Sequence, residues 1–211
     1  MIEVEKVKNV QLIKDNNIKA DYQEMTTNTS LPQDALQLSH MGFAVHDIQK
    51  MSSYYQAVLD FKVTDQGQLG AVSLVFLSRN ENEHHQIVMA NGRPEQLAFN
   101  PINQISFRVP NLTYLKMFRE RALGNPGTHE LVSICHGNAL SIYFRDPEGN
   151  RVEIFFDTPW YCEQPLRETV DFDLSDEAIM QMAYQSASSR PGFCSREDWL
   201  AKMHIKMNPG G

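Results

Sequence analysis

From Leu36 onward the apolar positions of this chain alternate at a period of two, change to helical spacing, and then return to alternation. Leu38, His40, Gly42 and Ala44 share one face of a predicted strand, and Met41, Phe43 and Val45 share the other. Asp47 then suits a helix N-cap, with Met51, Tyr54, Tyr55 and Val58 following on one helical face. Strands are predicted next at Phe61–Thr64, Ala71–Leu77 and His84–Ala90, so the order is β-α-β-β-β, ending near Gly92. Alternation in the last of these sets His84 and His85 on opposite faces, only one of them toward a cavity.

The second half repeats that order. Ile105–Val109 reads as a strand, and Asn111 caps a helix carrying Leu112, Leu115, Phe118 and Leu123, which Gly124, Pro126 and Gly127 end. Glu130–Cys135, Ala139–Arg145 and Arg151–Phe156 supply three further strands. Asp146-Pro147-Glu148-Gly149-Asn150 joins the last two; its proline presets φ, and Gly or Asn accepts positive φ. The strings also align directly. Ser39-His40-Met41-Gly42-Phe43-Ala44-Val45 matches Asn103-Gln104-Ile105-Ser106-Phe107-Arg108-Val109, which sets His40 opposite Gln104. The expected fold is therefore α+β: two tandem βαβββ modules, residues 36–92 and 102–158, forming a cupped β-sheet cavity.

Outside this repeat the patterning weakens. Residues 1–35 are polar, with a candidate short strand at Val7–Ile13 and a Thr/Asn/Ser-rich link at Thr26–Ser30, and read as an N-terminal extension. The paired modules occupy 36–162, and 163–211 form a C-terminal helical tail. Helix starts there are Ser175-Asp176-Glu177 and Ser195-Arg196-Glu197-Asp198, each a capping serine followed by acids in the first turn. The pair is expected to cover a surface or to make a subunit contact.

Composition narrows the partners. At 211 residues and 42% hydrophobic, the chain suits one large domain or two halves sharing a core. A net charge of −7 and no basic cluster speak against nucleic acid. No apolar run approaches the roughly 18 residues of a membrane span, so no membrane partner is expected. Met1–Lys6 lacks the apolar core of a signal peptide, and Cys135, Cys162 and Cys194 are odd in number without metal-type spacing. Reduced thiols in a cytoplasmic protein are the expectation.

The repeat also points to chemistry. Imidazole and carboxylate together hold divalent iron, manganese or zinc, and two histidines plus one carboxylate leave open positions for substrate and oxygen. His40 and Glu153 are candidates for two of three such ligands. Glu153 lies between Val152 and Ile154, where an unpaired carboxylate is costly to bury, so a metal or a base such as Arg151 is expected beside it. Tyr143, on the neighbouring strand, and His136 would add a polar wall, and a histidine suits proton exchange with a bound phenol. Phe43, Phe76, Phe107 and Phe155, or their neighbours, are candidate cavity residues whose facing depends on register.

Three strings carry a resemblance to a known family. They are Leu38-Ser39-His40-Met41-Gly42-Phe43, His84-His85-Gln86-Ile87, and the run from Ser141-Ile142-Tyr143 through Asp146-Pro147-Glu148-Gly149-Asn150 to Val152-Glu153-Ile154. Over roughly residues 36–162 the chain resembles the vicinal oxygen chelate superfamily of glyoxalase I, bleomycin-resistance proteins and extradiol dioxygenases. Within it, the chain looks most like catechol 2,3-dioxygenase-type enzymes, whose exit sequence Asp157-Thr158-Pro159-Trp160 resembles. The resemblance implies a metal held by His40, Gln104 and Glu153, with Fe(II) first and Mn(II), Zn(II) or Ni(II) as alternatives. It implies His85 as acid/base toward oxygen, Tyr143 as donor to the substrate hydroxyl, and His136 as a histidine near the substrate. A catechol-like substrate, O2 and a homo-oligomer follow as expected partners. Gln104 departs from the pattern, because a ring-cleaving member carries histidine there. Glyoxalase I-like members use glutamine as a metal ligand, so an isomerase or lyase is the alternative, as is a non-catalytic small-molecule-binding protein with a degenerate site.

Overall fold

A computed structural model describes residues 36–95 and 102–208. The chain divides into two units, Met1–Ser39 and His40–Gly211, and everything below concerns the second. The predicted strand at Val7–Ile13 and the link at Thr26–Ser30 lie outside the described residues.

The first module runs β1 (Met41–Val45), α1 (Ile48–Leu59), β2 (Lys62–Leu69), β3 (Val72–Ser78) and β4 (Ile87–Asn91). The second runs β5 (Ile105–Arg108), α2 (Leu112–Leu123), β6 (His129–Cys135), β7 (Ala139–Arg145) and β8 (Arg151–Asp157). Each module makes its own sheet, in the orders β1-β4-β3-β2 and β5-β8-β7-β6. In both, the first strand pairs in parallel with the last, Met41 opposite Ile87 and Ile105 opposite Val152. The duplicated α+β architecture expected from the sequence is what the chain adopts. β2 extends further than expected, and β4 starts later, so His84 and His85 lie in the loop before it.

Both helices begin where a side chain replaces missing backbone acceptors. Asp47 accepts from the amides of Gln49 and Lys50, and Asn111 from that of Tyr114; such caps contribute about 1 kcal/mol each. Helical spacing then aims Met51, Tyr54, Tyr55 and Val58 of α1, and Leu112, Leu115, Phe118 and Ala122 of α2, into one continuous core. Val45, Val75, Leu77, Ile87 and Met89 meet that core from the first sheet, and Leu140, Ile142, Phe144, Val152 and Ile154 from the second. Alternation leaves the opposite sheet faces uncovered: Gly42, Ala44, Ser106 and Arg108 are exposed. Register thereby sorts the four phenylalanines. Phe43 packs on Tyr55 and Phe107 on Phe61 in the core, while Phe76 meets His84 and His85, and Phe155 meets Arg108, on the open faces.

The tail does more than cover a surface. β9 (Trp160–Tyr161) pairs with β11 (Cys194–Ser195), and β10 (Glu168–Thr169) adds to the second sheet beside β6. α3 (Asp176–Ser188) buries Ile179 and Ala183 in the main core and Ala187 in a smaller one with Cys162 and Leu166. α4 (Arg196–Met207) buries no residue, although Trp199 stacks on Tyr161 at 5.3 Å. Ser175 and Ser195 cap α3 and α4 as expected. The three cysteines are free thiols.

The two modules are joined by the turn between β7 and β8. Glu148 accepts from the backbone amides of His46 and Asp47 at 2.8–2.9 Å, at the entrance to α1, where a negative charge is favoured. Tyr55 donates to Asp146, whose carboxyl is raised above its ordinary range by burial. Tyr54 and Thr128 bond through their hydroxyls at 2.6 Å. Replacing Glu148→Ala strands two amide donors at this seam, and we expect a loss of about 2–3 kcal/mol in urea denaturation. A loss below about 0.5 kcal/mol, the range of a neutral surface change, would remove this carboxylate from the seam's stability.

Candidate metal and substrate site

Glu153 stands on the open face of the second sheet and is nevertheless 7% exposed. Four side chains cover it. Gln104 Nε2 donates to Oε2 at 2.9 Å, and the Ser106 hydroxyl donates to the same oxygen. Ser141 donates to Oε1 at 3.0 Å, and the Tyr143 hydroxyl donates there too. The sheet makes this possible: β5, β8 and β7 are adjacent, with Ser106 opposite Glu153 and Glu153 opposite Tyr143. Gln104 lies two residues before Ser106, and Ser141 two before Tyr143, so period-two geometry places all of them on one face. The carboxylate's partners are thus hydroxyls and an amide, and no ion pair joins Glu153 to Arg151 among the described residues.

Tyr143 links this carboxylate to a histidine. His136 Nε2 lies 2.9 Å from the Tyr143 hydroxyl, and its Nδ1 lies 2.6 Å from the Leu166 carbonyl. A carbonyl only accepts, so Nδ1 carries a proton and Nε2 is the nitrogen that addresses Tyr143. Burial, then the hydrogen bond to Glu153 and its charge, raise the Tyr143 hydroxyl well above the ordinary tyrosine range. It therefore remains a neutral donor. Arg167, from the chain just before β10, lies over the Tyr143 ring at 5.6 Å.

The histidines expected at the site cluster on the first module. The rings of His40 and His85 are 4.3 Å apart, and His84 Nδ1 is 2.8 Å from His85 Nδ1. Both members of the pair pack on Phe76. The expectation that they point to opposite faces fails because β4 begins at Ile87, leaving them in a bend free of strand alternation. Loss of water contact, then the charges of His40 and His84, hold the His85 imidazole below the usual histidine range, favouring its neutral form. Among the described residues no group of three or more His, Cys, Asp or Glu side chains is arranged to hold a metal ion. Gln104, Glu153, Tyr143 and His136 are thus connected to one another in module two, as His40, His84 and His85 are in module one.

Sequence reasoning missed several participants. Ser106 and Ser141 were legible in principle, each two residues from a named candidate on the same strand. Leu166 and Arg167 were not, because they arrive through the pairing of Glu168 with Cys135, which no local pattern announces.

Comparison with known proteins places this geometry in a family. Residues 37–154 match the model of the Glyoxalase/Bleomycin resistance protein/Dioxygenase superfamily. Biphenyl-2,3-diol 1,2-dioxygenase 3 of Rhodococcus globerulus is 29% identical over 125 residues, which are 57% of this chain and 63% of that protein. Biphenyl-2,3-diol 1,2-dioxygenase 2 of the same organism is 28% identical over 56% of this chain and 62% of its own length. The chain thus spans less than two thirds of these curated relatives. A glyoxylase/bleomycin resistance protein/dioxygenase domain from Frankia sp. EAN1pec has the same fold, with a TM-score of 0.51 and 19% identity over 58% of this chain and 98% of that one. No helix among the described residues is long and apolar enough to cross a membrane. With a duplicated βαβββ fold and a family match over more than half its length, the chain belongs to the glyoxalase/bleomycin resistance protein/dioxygenase superfamily.

Proposed function

We propose that this chain is an extradiol-type dioxygenase that opens a catechol-like ring with O2. The observation that carries the reading is the connected set Gln104–Glu153–Tyr143–His136 on an open sheet face. The similarity to two biphenyl-2,3-diol dioxygenases supports it. The donor chemistry fits a divalent ion, with a carboxylate and an amide in contact on one sheet and an imidazole on the other. His40, Gln104 and Glu153 would hold it. Fe(II) is favoured over Mn(II), Zn(II) or Ni(II), and bound there it supplies adjacent positions for two vicinal oxygens and for O2.

The protein's own groups do the rest. Tyr143, kept neutral, donates to a substrate hydroxyl oxygen placed next to Glu153. His136, fixed by the Leu166 carbonyl, keeps Nε2 on the Tyr143 hydroxyl and so holds that hydroxyl in place beside the substrate. His85, poised neutral, accepts a proton from the substrate.

The sheet faces that continue from His40 and that carry Glu153 leave Gly42, Ala44 and Ser106 exposed. A second copy laid on these faces would cover them, making the protein a homo-oligomer. Gln104 favours one other reading: an amide ligand suits a redox-inert metal that stabilises an enediolate, as in an isomerase or lyase.

Protein purified without oxygen and offered Fe(II), Mn(II), Zn(II) and Ni(II) together should retain Fe(II) or Mn(II), and then consume O2 with catechols. Retention of zinc or nickel without O2 uptake would favour the isomerase. In the dioxygenase, His85→Ala should lower turnover by about 10²–10⁴-fold with metal content unchanged; full turnover would remove His85 from the mechanism. Gln104→His should tighten Fe(II) binding, since imidazole is the better ligand, and unchanged affinity would mean that position 104 does not face the metal. Two inactive variants, His40→Ala and Glu153→Ala, refolded together test where the site lies: recovery of about a quarter of the native activity, one intact site in each mixed pair, would mean that two copies share it. No recovery would confine the site to one chain.

A further inference from the structure

Beside Tyr143, on the same face as Glu153, lies a cavity of about 190 Å3 lined by Glu130, Val132, Arg145, Arg151 and Arg167. We propose that it receives a carboxylate carried by the substrate, so that the ligand is an acidic catechol rather than a plain one. The inference rests on the reading that the two ring oxygens sit at Glu153.

Charge pairing is the first reason. Arg145 and Arg151 face each other directly across β7 and β8, and like charges in that position destabilise a sheet. Arg145 is answered within the fold by Glu130 and by the Gly149 carbonyl at 2.9 Å. The Arg151 side chain takes part in no hydrogen bond or ion pair among the described residues, and the Arg167 side chain is engaged there only with the face of the Tyr143 ring. The chain holds 26 acidic residues against 19 basic ones, so acidic partners are plentiful. Two unanswered guanidiniums converging on one cavity, in a chain of net charge −7, leave room for an anion from outside.

Spacing is the second reason. The Arg145–Arg151 pair lies two residues along the ladder from the Tyr143–Glu153 pair, or roughly 7 Å. That is about the span of a ring bearing hydroxyls at one end and a carboxylate at the other. Guanidinium also matches a carboxylate in a two-point fork, which a lone ammonium does not. Val132, exposed on the adjacent strand, gives the ring an apolar edge between the two polar ends.

Binding to Fe(II)-loaded protein under exclusion of O2 tests this without turnover, using calorimetry with 3,4-dihydroxybenzoate, catechol, benzoate and inorganic phosphate. We expect 3,4-dihydroxybenzoate to bind about tenfold more tightly than catechol. Arg151→Gln and Arg167→Gln should each weaken the carboxylated probe by about tenfold, with Arg151→Lys recovering part of the loss. Because Arg151→Gln relieves a like-charge pair, its thermal midpoint should hold or rise. A lower midpoint accompanying the loss would assign Arg151 a structural role and overturn the proposal. Equal binding of the two catechols would overturn it too, while leaving the ring-cleavage reading standing. Arginine-dependent binding of benzoate as tight as that of 3,4-dihydroxybenzoate, with no binding of catechol, would support the carboxylate subsite and reject the reading at Glu153. Phosphate competing more strongly than benzoate would reject the carboxylate class.

Discussion

A carboxylate removed from water is tolerated only where donors replace its hydration, and Glu153 is the residue on which this constraint falls. Its two oxygens take hydrogen bonds from Gln104, Ser106, Ser141 and Tyr143, contributed by the strands on either side of its own. That arrangement depends on the parallel pairing of β5 with β8 and the antiparallel pairing of β8 with β7. A one-residue slip in either ladder would turn the donors into the core and leave the carboxylate without them. The site and the register of the second sheet are therefore one requirement. Tyr143 then carries the consequence outward to His136 and, through Leu166, to the C-terminal segment.

The two modules share a topology but have divided their chemistry. Module one presents imidazoles grouped around Phe76, and module two presents an acid with neutral donors. The seam between them is made of different material, the carboxylates of Asp146 and Glu148 bound to a helix entrance and to Tyr55. Because the β7–β8 turn forms the seam while its two strands carry Tyr143 and Glu153, damage at the turn would propagate to the site through only a few residues.

Much of this was legible in the sequence because it is periodic. The strand and helix order, the caps at Asp47, Asn111, Ser175 and Ser195, and the pairing of Tyr143 beside Glu153 all follow from spacings of two or near 3.6. What was not legible is aperiodic or distant. The bend that frees His84 and His85 from strand geometry has no apolar pattern of its own, and period-two spacing alone continues β4 backward over them. Which phenylalanines face outward needed the register, and the partners of Glu153 needed the strand order. The role of the tail was hidden for a different reason. Glu168–Thr169 is too short to read as a strand, yet its pairing beside β6 brings Leu166 and Arg167 to the site.

That last contact sets the tail apart from the family frame. The superfamily match ends at residue 154, and the segment after it supplies the carbonyl that fixes His136 and the guanidinium over Tyr143. A positive charge held against the ring face gains from the π system, and the β10 pairing holds the segment that carries it. The tail thus holds both the carbonyl that orients His136 and the charge over Tyr143, so a change at the β10 pairing would disturb the two together. Such a change would leave the Glu153 carboxylate and its four donors in place, because Ser106, Ser141 and Tyr143 stand on β5 and β7 and Gln104 just before β5.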